Sequence, residues 1–420
     1  MPRLARRLRS LQSTQVSFGV GKSTKADALS RLAGLKASVG TGAEPIAAGE
    51  YRARISRAAQ LMAEQGLDAV YLHAGTNLAY FTGTRWRASE RLVGALLGSD
   101  GSVRYVAPHF ELGTLRGYMV VEGEVHCWQE HESPYALIDG LVPAGARLGI
   151  DEATPFFISE GIRDAGAKRS LVNAKPVTAG CRMRKSRAEL ALMQQAKDMT
   201  MEVHKAAASI LQTGITPPEV TDFIDRAHRA IGASGSSFCI VLFGEDSAYP
   251  HGVKSPKALE DGDVVLIDTG CLQDGYNSDI TRTYVYGEPS ERQRALWEVE
   301  KAAQAAGFAA AKLGTPCGEV DVAARRVIEE AGYGPGYALP GLPHRTGHGC
   351  GLDIHEWPYL VGGDETPLEE GMCFSNEPML CVPGEFGIRL EDHFYMSSDG
   401  ARWFTEPSRS IDDPFGLAAG

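Results

Sequence analysis

Val264-Val265-Leu266-Ile267-Asp268-Thr269-Gly270, followed by Asp274-Gly275-Tyr276-Asn277-Ser278-Asp279-Ile280-Thr281-Arg282-Thr283, decides how this chain is read. An apolar β-branched run, an Asp-Gly pair and a second extended stretch predict a strand, a tight turn and a returning strand. With Asp274 and Gly275 as a two-residue loop, residue 268 lies opposite 281. Asp279 is an even step from 281, so both carboxylates face the same side. Diagonal neighbours on one face have Cα atoms roughly 7–8 Å apart, close enough for two inward-leaning carboxylates to share a cation. A buried aspartate pair without one would be costly. Asp and Asn also favour turns for backbone reasons, so the pair alone does not make a site.

A second pattern supplies the missing company. Gly214-Ile215-Thr216-Pro217-Pro218-Glu219-Val220 and Gly314-Thr315-Pro316-Cys317-Gly318-Glu319-Val320 repeat a glycine, a Thr-Pro helix start and Glu-Val at an interval of 100 residues. Threonine as N-cap with proline at the first helical position starts a helix in each, and Gly232 and Gly332 end them at the same offset. Long Ala-rich helices, 187–212 and about 291–313, precede them. The first is opened by the capping box Ser186-Arg187-Ala188-Glu189. Each repeat is followed by a histidine and a carboxylate pair: His251, Asp268 and Asp279, then His348, Glu377 and Glu391. A hairpin centred on Gly384 would put Glu377 opposite Glu391. Two like halves facing each other would gather four carboxylates and an imidazole or two. Their mutual repulsion calls for cations, and this donor set suits Mn²⁺, Co²⁺ or Zn²⁺, in a site for two ions.

Composition sets the surroundings. A chain of 420 residues, 43% hydrophobic, exceeds the usual span of one domain. Forty-two basic against 53 acidic residues give a net charge of −11, which disfavours nonspecific binding to nucleic acid or anionic membrane. No apolar run approaches the roughly 18–20 residues needed to cross a bilayer. The eight cysteines are scattered with no Cys-x-x-Cys pair, the usage of a reduced, cytoplasmic compartment.

Four segments are expected along the chain. Residues 1–45 are a basic N-terminal extension, with Arg3, Arg6, Arg7, Arg9, Lys22, Lys25, Arg31 and Lys36 against Asp27 and Glu44. An Arg-rich, acid-poor terminus can be a transit peptide; a basic, partly ordered tail is the simpler reading. Gly19-Val20-Gly21-Lys22-Ser23-Thr24 imitates the end of a phosphate loop, but Val16 stands where the motif needs glycine. Residues 46–172 alternate helix and strand as an α/β domain. A helical stripe at Ile55–Met62 precedes strands at Ala69–Leu72, Leu92–Leu97, Val103–Val106, Met119–Val121 and Arg147–Ile150. Asn77–Gly83 reads as a packed strand-to-turn corner. Residues 173–185, with Pro176 and Gly180, read as a linker, and 186–420 as the second domain.

Other candidate chemistry is weaker. His344, His348 and His355 fall within twelve residues, but Gly347, Gly349 and Gly351 argue against a helix, so His344 and His348 are not a helical metal pair. Glycines beside His348 mark close backbone approach to a buried ligand. Pro358 and Tyr359 spoil a His-Glu-x-x-His site at His355-Glu356. Cys350, two positions from His348, is not favoured as ligand or nucleophile. His73, His109, His126, His131, His204, His228 and His393 have no carboxylate-pair companions and read as surface or core residues. Gly-x-Ser-x-Gly does not occur.

With these residues in view, the chain from about 48 to 410 resembles the Xaa-Pro peptidases of the pita-bread metallopeptidase family M24, which includes prolidase and aminopeptidase P. The likeness rests on Asp268, on Asp279 in Tyr-Asn-Ser-Asp-Ile-Thr-Arg-Thr, and on His348 in Thr-Gly-His-Gly-x-Gly-Leu-x-x-His-Glu. Glu377 in Asn-Glu-Pro and Glu391 in Gly-Ile-Arg-Leu-Glu-Asp complete it. It implies an α+β fold, a C-terminal pita-bread domain with an internal pseudo-two-fold repeat behind a creatinase-like α/β domain, and a homodimer. It also implies two divalent ions, manganese first, with Asp268 and Asp279 on one, His348 and Glu377 on the other, and Asp279 and Glu391 bridging. His251 and His355 would contact substrate or move protons, supported by His344 and Arg389, with Glu377 as general base towards a water between the ions. The implied substrate is a small peptide with proline second, first of all an Xaa-Pro dipeptide. The alternatives are an aminopeptidase P acting on longer peptides, a metal-free creatinase-like hydrolase, or a peptide-binding module. Cys350 departs from the family's usual aliphatic residue, and Glu245-Asp246 replaces a stretch where asparagine is common.

Overall fold

The structure, a computed structural model, describes residues 20–166 and 169–416, so Arg3, Arg6, Arg7, Arg9 and Gly19 of the basic extension lie outside it. The described part of the extension forms helix α1 (Lys25–Val39), capped by the Thr24 side chain. Ala28 and Leu32, one helical turn apart, are fully buried in the core of the second domain. This part of the extension, read as a basic, partly ordered tail, is a docked helix, because its i, i+4 apolar pair has a partner surface that no local pattern reveals.

Helix α2 (Ala48–Gln65) leads into a six-stranded sheet. Its strands are β1 (Ala69–His73), β2 (Gly94–Gly98), β3 (Val103–Pro108), β4 (Glu124–Trp128), β5 (Arg147–Ile150) and β6 (Ser170–Asn173), in the order β4-β3-β2-β1-β5-β6. The hairpins β1–β2 and β2–β3 are antiparallel and the remaining pairs parallel. Around the sheet run α3 (Thr76–Thr82), α4 (Leu112–Tyr118), α5 (Pro134–Leu141), α6 (Phe156–Ala165) and α7 (Lys175–Arg182). Three local readings change. The 77–83 corner is helix α3, closed by Gly83 at φ +72°. Met119–Val121 is not a strand: the Val121 N–H donates to the Thr82 carbonyl (3.1 Å) and its buried side chain pins the end of α3. The 173–185 connection contains α7, with Pro176 in its first turn where a missing N–H costs nothing.

The second half carries two helix pairs, each followed by antiparallel strands. α8 (Arg187–Ser209) begins at the Ser186–Glu189 capping box and α9 (Pro217–Ile231) at a Thr216–Glu219 box. The strands after them are β7 (Ser236–Phe243), β8 (Val264–Gln273), β9 (Tyr276–Asn277) and β10 (Ile280–Val285). The second pair is α10 (Glu291–Ala310) and α11 (Cys317–Glu330). α11 starts one position later than the repeat suggests, and its first N–H groups, on Cys317 and Gly318, donate to the Thr366 and Asp364 carbonyls. Then follow β11 (Gly347–Gly349), β12 (Glu356–Leu360), β13 (Cys373–Asn376), β14 (Met379–Val382), β15 (Phe386–Arg389), β16 (Asp392–Ser397) and β17 (Gly400–Trp403). The sheets run β10-β8-β7, β12-β11-β13-β16-β17 and β14-β15. Among the described residues no helix is long and apolar enough to cross a membrane.

The two halves of the chain share one core. Tyr276, Cys350 and Cys373 pack with Leu61, Leu78 and Leu192. Arg54 of α2 reaches Tyr276 (3.1 Å) and Glu189 (3.4 Å) across the junction.

Candidate metal centre

Turn chemistry sets the first pair of carboxylates. Asp274 (φ +47°) and Gly275 (φ +86°) form the tight loop, and a single register runs from Gln273↔Tyr276 to Asp268↔Thr281. Asp268 therefore lies opposite Thr281, and Asp279 occupies the break between β9 and β10. The second pair follows the same logic on a longer hairpin. Asn376↔Asp392 and Met379↔Arg389 belong to one register on either side of an interruption, and Glu377 and Glu391 face each other within it. In such an interruption side chains are free of the ladder's strict alternation. His348 lies at the middle of β11, its N–H donating to Ser375 Oγ (2.9 Å).

These five residues converge. Donor atoms of Asp279, His348 and Glu391 lie within 4.8 Å of one another. His348 Nε2 is 3.0 Å from Glu377 Oε1 and 3.6 Å from Asp279 Oδ2. Asp268 joins through Arg389, whose Nη2 donates to Asp268 Oδ2 (2.6 Å) and whose Nε donates to Thr281 Oγ1 (3.0 Å). Thr281 in turn donates to Glu391 Oε2 (2.7 Å), and Ser375 to Glu377 Oε1 (3.0 Å). Each half thus supplies donors that orient the other half's acids.

The electrostatics are those of too much negative charge in too little water. Burial, then Glu391, Asp268 and Glu377, push the Asp279 carboxyl well above its ordinary range. Burial, then Glu377 and Asp268, do the same to Glu391. Burial also raises Asp268, opposed by Arg389. For Glu377 burial is outweighed by the hydrogen bond and charge of His348, with His344 and Arg389, and its carboxyl falls below the ordinary range.

The remaining expected residues surround this group. The His355 ring centroid is 4.1 Å from that of His348, and burial, then His348 and Arg345, lower the imidazole to about 4. His355 and His251 are exposed at the rim, while His344 is part-buried with Nδ1 2.7 Å from the Arg345 carbonyl. Burial lowers His344 too, and His251 is near enough to disfavour charge on both other rings. The glycines beside His348 have a different cause from the one expected. A Cβ on Gly347 would meet the Ser375 carbonyl oxygen at 2.1 Å, and one on Gly349 the Glu356 carbonyl oxygen at 2.6 Å. Neighbouring strands, not a ligand, demand glycine there.

Three contributors escape sequence reasoning. Thr281 and Ser375 look like ordinary strand residues until their partners are known. His393, read from sequence as core or surface, is fully buried with Nε2 3.4 Å from Glu391 Oε1 and 3.9 Å from Asp279 Oδ2. The signal was present in its even spacing from Glu391, which places both on one face of an extended segment. Of the other histidines, His73, His204 and His228 are core and His109 and His131 are exposed. Cys350 is fully buried, and burial pushes its thiol up to about 11 despite Lys197 and Lys185, which keeps it from being a thiolate.

The donor set fits divalent cations. Asp268 Oδ1 is buried without a hydrogen-bond partner, and four acids with one imidazole form an oxygen-rich set of the kind that suits Mn²⁺ or Co²⁺. Ionised Asp279 and Glu391 need positive charge beyond that of Arg389.

The chain is similar to known proteins along most of its length. Residues 191–398 match the model of metallopeptidase family M24, and residues 54–184 that of the creatinase/prolidase N-terminal domain. The putative dipeptidase YkvY of Bacillus subtilis is 33% identical over 85% of this chain and 99% of its own length. The Xaa-Pro dipeptidase of Pyrococcus furiosus is 31% identical over 85% of this chain and 99% of its own length. The crystal structure of dipeptidase PepE from Mycobacterium ulcerans superposes with a TM-score of 0.81 at 33% identity, covering 86% of this chain and 97% of that one.

Proposed function

The chain belongs to metallopeptidase family M24, a family of divalent-metal hydrolases, and from that premise we propose that it cleaves the peptide bond of Xaa-Pro dipeptides. The observation that carries this reading is the convergence of the buried Asp268, Asp279, His348 and Glu391 with the half-buried Glu377. Asp268 and Asp279 would hold one manganese ion, His348 and Glu377 a second, and Asp279 and Glu391 would be shared. When bound, such ions acidify water and polarise a carbonyl.

The chain's own side chains have the remaining tasks. Glu377, hydrogen-bonded to His348 and held as an anion, would take the proton from the attacking water. His355, at the rim beside His348, would donate to the developing oxyanion, and His251 would orient the peptide, with His344 behind them. Arg389 fixes Asp268 and Thr281 and so maintains the spacing of the two halves. The departing nitrogen of an Xaa-Pro bond has no N–H in the substrate, so recognition must rest on shape and on the substrate's termini, and the proton Glu377 accepts is the one that nitrogen needs. We place the protein in a reducing, cytoplasmic compartment on the strength of eight free thiols, six of them buried. We further propose that it works as a homodimer with no nucleic-acid partner.

The test is a comparison of Ala-Pro with Ala-Pro-Ala after chelation and reloading with Mn²⁺. Dipeptide turnover should exceed tripeptide turnover at least tenfold and vanish in the stripped enzyme. Preference for the tripeptide would make the protein an aminopeptidase P, and full activity without metal would remove the metal mechanism.

A further inference from the structure

Among the groups packed around the carboxylates, His393 is unassigned. It is fully buried, and its Nδ1 has no hydrogen-bond partner. Its Nε2 points at two acids at once, Glu391 Oε1 at 3.4 Å and Asp279 Oδ2 at 3.9 Å. The backbone explains the aim. Asp392 turns the opposite way to pair with the buried Arg282 (2.7 Å), so Glu391 and His393 share the inner face of the strand. On the neighbouring strand His393 lies opposite Ser375, the residue that donates to Glu377.

We infer that His393 is a positioning residue of the metal centre, the Nε2–H donor that holds Asp279 and Glu391 in the orientation in which both can be shared by two ions. This rests on the metal-centre reading above. The tautomer selects donor over ligand: a metal-binding Nε2 must be bare, which would leave the proton on Nδ1, where no acceptor exists. With the proton on Nε2, Glu391 Oε1 accepts it at 3.4 Å, and Asp279 Oδ2 lies next to the same N–H at 3.9 Å. Arg389 on Asp268, Thr281 on Glu391 Oε2 and Ser375 on Glu377 already orient the acids in this way. His393 is the donor facing Glu391 Oε1 and Asp279 together. Donors of this kind affect metal affinity about 10–100-fold.

The experiment compares His393→Gln with His393→Met, side chains of similar length of which only the first can donate. Calorimetric titration of stripped protein with Mn²⁺ gives both affinities, and thermal melts of the stripped forms report folding. The Met variant should bind one of the two ions about 10–100-fold more weakly, while Gln stays within about threefold of the parent. Met within twofold of the parent, or Gln weakened as much as Met, would overturn the assignment. Should Met fail to fold, His393→Leu takes its place under the same criteria. A parent that binds no divalent ion would overturn the metal-centre reading itself, whereas a parent that binds two with Met unaffected removes only the role of His393.

Discussion

At the scale of single residues, the chemistry is governed by carboxyls that cannot all be ionised without help. Asp279 and Glu391 have raised pKa values in the folded, metal-free protein, so between the ordinary carboxylate range and those raised values the folded state binds more protons than the unfolded one. Stability of the stripped protein therefore falls as pH rises through that window, and cation binding must expel protons. Two consequences share a sign: Mn²⁺ affinity increases with pH, and the gain in melting temperature on adding Mn²⁺ is larger at pH 8 than at pH 5. Melts of stripped and loaded protein at the two values measure this, and a gain that is equal or greater at pH 5 would mean these carboxyls are not the ones displaced.

At the scale of elements, the site depends on strands that stop and restart. Glu377 and Glu391 lie in the interruption between the β13–β16 and β14–β15 ladders, and what holds the ends together across the halves is buried charge. Arg282 of β10, fully buried, donates to Asp392 (2.7 Å) and to the carbonyls of Glu391 (2.9 Å) and Glu406 (3.2 Å). Arg282→Met would leave Asp392 as an unpaired buried anion, at a cost of about 3–5 kcal/mol, and would loosen the backbone that carries Glu391. Urea denaturation should show a loss of this size together with reduced metal content. Replacing Arg282 and Asp392 together by apolar residues should recover much of the stability, because the anion then no longer needs a partner.

At the scale of the whole molecule, the N-terminal part is fastened to the catalytic half at several points. Thr76 donates to Asp353 (2.6 Å), and Arg182 reaches Asp353 (2.6 Å) and Glu356 (2.5 Å), the latter held also by Lys185 (3.0 Å). These contacts fix the loop that carries His355. Helix α1 docks farther away, burying Ala28 and Leu32 against α8 and α9. Deleting residues 1–40 should expose that surface and destabilise the protein by about 2–4 kcal/mol, with metal content unchanged. An unaltered melting temperature would show that the docked helix contributes nothing.

The sequence by itself determined the hairpin registers. The turns at Asp274-Gly275 and Gly384 admit few backbone conformations, and each fixes which residues face each other across its own hairpin, so Asp268 opposite Thr281 and Glu377 opposite Glu391 follow from local geometry. The helix starts at Ser186 and Thr216 were legible for the same reason, since a cap is a contact between near neighbours. Only the tertiary structure decided that α1 is docked, that Val121 secures α3 instead of joining the sheet, that strand crowding demands the glycines beside His348, and that His393 faces Asp279 as well as Glu391. Each of those depends on a partner far away in the chain, and burial, which gives a lone imidazole or a small apolar pair its meaning, is a property of the packed molecule and not of any local stretch.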